Sequence, residues 1–521
     1  MAGKRVAVIG SGASGLSGIK CCLDEGLIPV CFERNGDIGG LWNFSSDAVD
    51  GHSSVLKSTT INTSKEMMAF SDFPPPQEFA PNMHNTQIMQ YFRLYAENFG
   101  LLKHIRFFTR VDEVRPTAEF NSTGQWEVHS TDLKTDEKKL EVYDGVLVCT
   151  GHHAKTFMPK FDGEEDFEGK IMHSHDYRNH GEFDDKKVVV VGFGNSAGDL
   201  AVELSRICRK RGLPFDLQIS SRYGLFMMSM LPWEKLNRMV EEAVNKKLDH
   251  EAYSLKPEHH IFSCHPVVND DLPNRIISGA ITIKPNLKRI TKSGVEFDDG
   301  TSDENIDAIF YATGYVFGFP FIKYKGYEVH RNEVQLYKYM YAPDVKPHTL
   351  AIIGLVQPLG STVPIAEMQN RVACRVIKGE CELPSAAAMW RDIKGKQSAM
   401  KRRYVASQRH TVQVDFTPFM DELADLIGCR PSLGYLMLTR PSVAWNVFFG
   451  PSVAYQYRLC GPGVWPGAAE ALSTVWERTL FPLKTRPIAS AKKKGSSSVM
   501  LTTSVVFMAC LACAYYKWKM A

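Results

Sequence analysis

Arg5-Val-Ala-Val-Ile9 followed by Gly10-Ser11-Gly12-Ala13-Ser14-Gly15 decides the fold class. The first five residues are a short, largely β-branched run suited to a buried strand. The next six carry the spacing G-x-G-x-x-G, a helical stretch continues to about Gly26, and Pro29-Val-Cys-Phe-Glu33 reads as a second strand ending in an acid. Each glycine has a separate task. The first allows the tight turn, the second lets backbone approach a pyrophosphate, and the third lets the helix pack on the strand. Phosphate then meets the free N–H groups of the helix N-terminus. Glu33 accepts hydrogen bonds from ribose hydroxyls and repels a 2′-phosphate, so Gly10, Ser11, Gly12, Ala13, Ser14, Gly15 and Glu33 are candidate contacts for FAD or NAD.

A second copy begins at Lys187-Val-Val-Val-Val191 and runs through Gly192-Phe193-Gly194-Asn195-Ser196-Ala197, with Gly198 and Asp199 continuing into a helix. Phe215 to Ile219 is expected to be its second strand. Ser220-Ser221-Arg222 follows without a carboxylate. Hydroxyls and a guanidinium suit a 2′-phosphate and point to NADPH, although a solvated loop arginine is the plainer reading of Arg222. One flavin site and one NADPH site in a chain define a relay in which hydride passes from nicotinamide to flavin.

An internal echo orders these units. Asp144 to Gly151 and Asp307 to Gly314 share the pattern D-x5-T-G, an acidic start, an apolar strand and a Thr-Gly turn. They read as the crossings where the chain leaves the first nucleotide domain and returns to it. The expected architecture is therefore α/β, with two Rossmann-like dinucleotide-binding domains, the NADPH domain inserted in a discontinuous FAD domain. The expected boundaries are 1–154 for the first part of the FAD domain, 155–305 for the NADPH domain and 306–440 for the remainder. A membrane-proximal segment and linker at 441–498 and a transmembrane helix at 499–516 complete it.

The chain has 521 residues, 44% hydrophobic and 23% charged, which excludes a disordered or disulfide-stapled class. Eight of its 61 basic residues follow Glu477, the last acidic one, so the preceding body carries −5 from 53 basic and 58 acidic residues. A nucleic-acid footprint on that body is not expected. Val499 to Tyr516 holds no charge and no proline, with Lys492 to Lys494 before it and Lys517 and Lys519 after it. At ~1.5 Å rise per residue it spans ~27 Å, enough for a thin bilayer, and a buried helix of the body is the alternative. The twelve scattered cysteines offer no zinc site or dithiol centre, and the only C-x-x-C, Cys510 and Cys513, lies inside that apolar run. No metal site is expected.

Further motifs carry a resemblance. Phe167-Glu-Gly169-Lys-Ile-Met-His173-Ser-His-Asp-Tyr177 fits F-x-G-x-x-x-H-x-x-x-[YF], directly before the second glycine turn. Gly39-Gly40-Leu41-Trp42, Ile61 to Met68, Phe70-Ser71-Asp72, Asn269 to Pro273, Ala312 to Tyr315 and Leu350 to Arg371 extend the match. Together they resemble the flavin-containing monooxygenases, in particular the vertebrate microsomal dimethylaniline monooxygenases.

The resemblance implies FAD and NADPH as cofactors. It also implies transfer of one oxygen atom from O2, through a C4a-hydroperoxyflavin, to soft nitrogen or sulfur nucleophiles of small lipophilic amines and sulfides. By matching position it assigns Gly40, Leu41, Trp42 and Thr63 to cofactor contact and makes Asn62 the residue at the site of oxygen attack, where the residue alone would read as a turn asparagine. It further implies a tail anchor in the endoplasmic reticulum membrane, in contact with lipid, with the catalytic body in the cytoplasm. Self-association into a homo-oligomer is left open. Baeyer–Villiger oxidation of ketones and an uncoupled NADPH oxidase releasing hydrogen peroxide are the alternatives. Tyr223 stands where the family usually has a second arginine, and the 206–245 segment departs in length, which places NADPH affinity in doubt.

Overall fold

A computed structural model describes residues 3–485 except 48–51, 154, 205–213, 247, 266, 268, 270 and 409, and the side chains of 215 and 218. The apolar run at 499–516 and its basic flanks lie outside the described residues. Among the described residues no helix is long and apolar enough to cross a membrane.

The first sheet is parallel throughout, with strands Leu350–Ile352, Gly145–Val148, Arg5–Ile9, Ile28–Phe32 and Ile105–Arg106 in spatial order. Val6, Ala7 and Val8 have no exposed surface, as expected for a central strand covered on both faces. The helix Ala13–Asp24 leaves the glycine turn and packs on the long helix Thr362–Lys378. An antiparallel sheet of Thr109–Pro116, Trp126–Asp132 and Lys138–Tyr143 adjoins this unit.

The second sheet is also parallel, with Val188–Val191, Ala308–Tyr311 and Lys170–His173 in spatial order. The echoed strands perform the same task in each unit. Asp144 Oδ2 accepts the N–H of Arg5 at 2.8 Å, and Asp307 Oδ2 accepts that of Lys187 at 2.8 Å. Each acid thereby sets the register of its strand against the strand that ends in a glycine turn. The segments following the two Thr-Gly turns, Lys155–Thr156 and Tyr315–Val316, pair antiparallel, so both crossings between the units run through one ribbon. Thr313 Oγ1 also donates to the carbonyl of Phe157 at 2.5 Å.

Two expectations are corrected. The boundary at 305/306 falls before Ala308–Tyr311, which belongs to the second sheet, so the second unit extends to the Thr313-Gly314 turn and the first sheet is rejoined at Leu350–Ile352. Phe215–Ile219 is a short helix rather than a strand, leaving the second sheet without a described neighbour beyond Val188–Val191. Pro214 precedes this helix and Asp216 lies in its first turn, an order that favours helix initiation.

A buried ionic cluster joins distant parts of the first unit. Glu367 accepts the Ser71 N–H and hydroxyl, both at 2.7 Å, and Arg458 Nη2 at 2.9 Å. Arg458 also reaches Asp72 at 2.9 Å, and Lys20 pairs with the same carboxylate. Burial pushes Asp72 upward, but the Arg458 and Lys20 cations outweigh it and hold the carboxyl below its ordinary range. Removing one member leaves buried charges uncompensated. Glu367→Ala is expected to cost about 3–5 kcal/mol of stability, read as a lowered urea midpoint.

Candidate functional site

A cleft of about 3420 Å³ is lined by Gly10, Gly12 and Glu33 of the first unit and by Asn195 and Asp199 of the helix after the second glycine turn. The first turn is shaped by contacts that only glycine allows. A Cβ on Gly15 would lie 1.8 Å from the carbonyl oxygen of Gly10, and one on Gly10, whose φ is +99°, would lie 2.7 Å from that of Cys149. The helix Ala13–Asp24 starts at Gly12 with no side-chain cap and no acid in its first turn, so its leading N–H groups suit an anion.

Glu33 is buried, and its Oε2 accepts the N–H and hydroxyl of Ser11 at 2.8 and 2.9 Å. Its Oε1 accepts the Asn35 N–H at 2.9 Å. A carboxylate offers about four acceptor positions, so capacity remains for a ribose hydroxyl in the cleft. Gly40, Leu41 and Trp42 form a 3₁₀ turn, all three lining the cleft, and Gly39 N–H donates to Ser11 O at 3.1 Å. Ser14 is fixed from behind by Asn370, whose amide donates to the Ser14 carbonyl at 2.7 Å.

The second turn repeats the geometry. Gly192 has φ +129°, and a Cβ there would lie 2.5 Å from the Ala312 carbonyl oxygen. Gly194 has open space around it, and Asn195 begins the helix Asn195–Leu204, which includes Ser196, Ala197, Gly198 and Asp199. Asn269 Nδ2 donates to Asp199 Oδ1 at 3.0 Å, giving the Asn269 to Pro273 motif a structural purpose. The donor sets of both turns therefore fit a dinucleotide pyrophosphate.

Arg222 departs from expectation. It opens the helix Arg222–Ser229, and Nη1 and Nη2 each donate to Asp421 at 2.6 Å, with Nε on Gln456 at 2.9 Å. Of Ser220, Ser221 and Arg222, only Ser220 lines the cleft, while the Ser221 hydroxyl caps the helix by accepting the Gly224 N–H at 2.9 Å. Arg222, expected at a 2′-phosphate, is here ion-paired with the C-terminal part of the chain. Tyr223 packs its ring on Phe449 at 5.2 Å between centroids, on the same side.

Asn62 is exposed at the cleft and Thr63 lies buried beside it, its hydroxyl donating to Asn62 Oδ1 at 3.4 Å. Below them Lys65 has no exposed surface and gives its ammonium to the carbonyls of Pro76, Gln77 and Phe79 at 3.2, 2.8 and 2.8 Å. Burial pulls its pKa down to about 8. Glu66 is bound by Arg478 at 2.6 Å, from the last described α-helix.

His173 is held to the crossing, its Nδ1 accepting the His175 N–H at 3.0 Å and its Nε2 lying 3.1 Å from the Gly314 carbonyl. Burial drops its pKa to about 4. His152 and His153 also line the cleft, with burial lowering His153 to about 4 and His152 well below its ordinary value. Sequence reasoning missed these two, although they follow the Thr150-Gly151 turn directly. It also missed Asp216 and Glu203, which line the cleft from the second unit and carry no motif.

The profile of the flavin-binding monooxygenase-like family matches residues 3–515. The chain belongs to that family. Flavin-containing monooxygenase 5 of Cavia porcellus is 45% identical over the full length of both chains, and that of Homo sapiens is 45% identical over 98% of each. Among solved structures, S-allyl-L-cysteine S-oxygenase from Allium sativum is similar with a TM-score of 0.61 and 23% identity, covering 91% of this chain and 98% of its own. It supports the shared fold. The chain is accordingly a flavin-dependent monooxygenase.

Because Arg222 is engaged by Asp421, Arg222→Ala is expected to destabilise the protein by about 3 kcal/mol in thermal unfolding. The same substitution should change KM for NADPH and for NADH by equal factors. A selective loss of NADPH would restore the phosphate role.

Proposed function

We propose that the protein uses NADPH and O2 to transfer one oxygen atom to soft nitrogen or sulfur nucleophiles of small lipophilic molecules. The observation that carries this reading is one cleft lined by the first glycine turn, by the helix that follows the second, and by the exposed Asn62. FAD and NADPH are the cofactors, FAD at Gly10 to Gly15 with Glu33 toward its ribose, NADPH at Gly192 to Asp199. Gly40, Leu41, Trp42 and Thr63 belong to the flavin side, and the units correspond to an NADPH domain inserted in the FAD domain.

Bound flavin supplies the two-electron chemistry of O2 activation. The chain's residues set the conditions for it. The Asn62 amide offers a donor and an acceptor at the reacting centre without a charge. His152 and His153 are neutral at pH 7, since the His153 pKa of about 4 leaves it protonated only in strong acid. These two imidazoles therefore bring neither a positive charge nor a ready proton to their part of the cleft. Selection then depends on size and access, which yields broad specificity.

The purified full chain with NADPH and O2 is expected to convert a tertiary amine and a thioether to their oxides, one per NADPH consumed. Ester formation from a ketone would indicate Baeyer–Villiger oxidation instead. Hydrogen peroxide without product for any of the three would indicate an oxidase.

The 499–516 segment is read as a tail anchor in the endoplasmic reticulum membrane, supported by its uncharged length and lysine flanks. Full-length protein should stay with membranes through alkaline extraction, and a form ending at residue 485 should be released. Release of both would remove the anchor.

A further inference from the structure

The loop that carries Asn62 is pinned to its own unit on either side of that residue. Before it, Ile61 N–H donates to the Met83 carbonyl at 2.9 Å, and the Ile61 carbonyl accepts Asn82 Nδ2 at 3.2 Å. After it, Lys65 N–H donates to the Pro81 carbonyl at 2.7 Å, and the Lys65 ammonium holds three further carbonyls. Between these pins, Asn62 and Thr63 line the cleft and Ser64 lies buried beside them.

The anchor for that edge comes from the opposite unit. Asp216, on the short helix that stands where a strand was expected, accepts the Ser64 N–H on Oδ2 at 2.7 Å and the Leu217 N–H on Oδ1 at 2.9 Å. A second carboxylate reaches the same loop. Glu203, on the helix after the second glycine turn, accepts the Ser58 hydroxyl, while its Oε1 accepts the Tyr177 hydroxyl at 3.3 Å. Two acids of the second unit therefore hold the loop at positions 58 and 64, with Asn62 between them.

We propose that Asp216 is a positioning residue for Asn62, fixing the loop from across the cleft so that its amide is aimed only when the two units are closed together. This rests on the reading of Asn62 given above. The departure of this segment from a strand has a use on this view, since the helix turns a carboxylate toward the backbone of the reacting loop. An ionised carboxylate is a stronger acceptor than a neutral carbonyl, and its bond to Ser64 joins the two units at the wall of the cleft. Burial raises Asp216 above the usual aspartate value, against the pull of the Ser64 and Leu217 N–H groups. The carboxyl consequently takes up its proton at a higher pH than an exposed aspartate would.

The test is product formed per NADPH consumed, with a thioether as substrate. Misaiming Asn62 leaves the two electrons of NADPH, with two protons, to depart on O2 as hydrogen peroxide. Asp216→Ala is expected to lower the ratio at least threefold with a matching rise in peroxide. Asp216→Asn, whose amide oxygen still accepts from Ser64, should recover half or more of the lost coupling. In the unsubstituted protein the ratio should fall as pH drops through the Asp216 pKa, and Asp216→Asn should lack that limb. Asn62→Ala is the control. If Asn62→Ala uncouples while both Asp216 variants keep the normal ratio and pH profile, the positioning role is overturned and the Asn62 reading stands. If Asn62→Ala leaves coupling intact, both fall. Should Asp216→Ala fail to fold, the Asp216→Asn ratio and its pH profile decide the matter alone, with an unchanged acid limb overturning the proposal.

Discussion

The contact between Gly15 and the carbonyl of Gly10 is the constraint on which the structure depends. No side chain fits there, since a Cβ would lie 1.8 Å from oxygen, so helix and strand meet at backbone distance. That closeness points the helix N-terminus at the cleft. It also brings the helix against Thr362–Lys378, whose Asn370 supports Ser14 and whose Glu367 anchors the buried ionic cluster. The same economy of space recurs at Gly192 over Ala312, so one steric rule builds both glycine turns.

Much of this was legible in the chain itself. The glycine spacings, the acid at Glu33 and the D-x5-T-G echo are local patterns with local causes, and the glycine turns form as their spacing predicts. Asp144 and Asp307 show why the echo exists, as both hold the first N–H of a neighbouring strand. Phe70-Ser71-Asp72 acquires a reason as well, because Ser71 and Asp72 meet Glu367 and Arg458 from far along the sequence.

What could not be read was decided by long-range partners. Phe215 to Ile219 has the apolar content of a strand, yet Pro214 and Asp216 begin a helix. Arg222 looked like a phosphate reader because its local neighbours lack an acid. Its acid, Asp421, is 199 positions away. Asp216 and Glu203 have no motif at all, and their meaning appears only when the second unit is placed over the loop from Ser58 to Ser64. The boundary near residue 305 erred for a related reason, since a strand's sheet is chosen by pairing and not by its neighbours in the chain.

Arg478 belongs to the last α-helix among the described residues, and it grips Glu66, two residues from Ser64. The C-terminal end of the described residues is thereby tied to the loop that carries Asn62. A chain cut before this arginine would leave the Glu66 carboxylate buried without that cation.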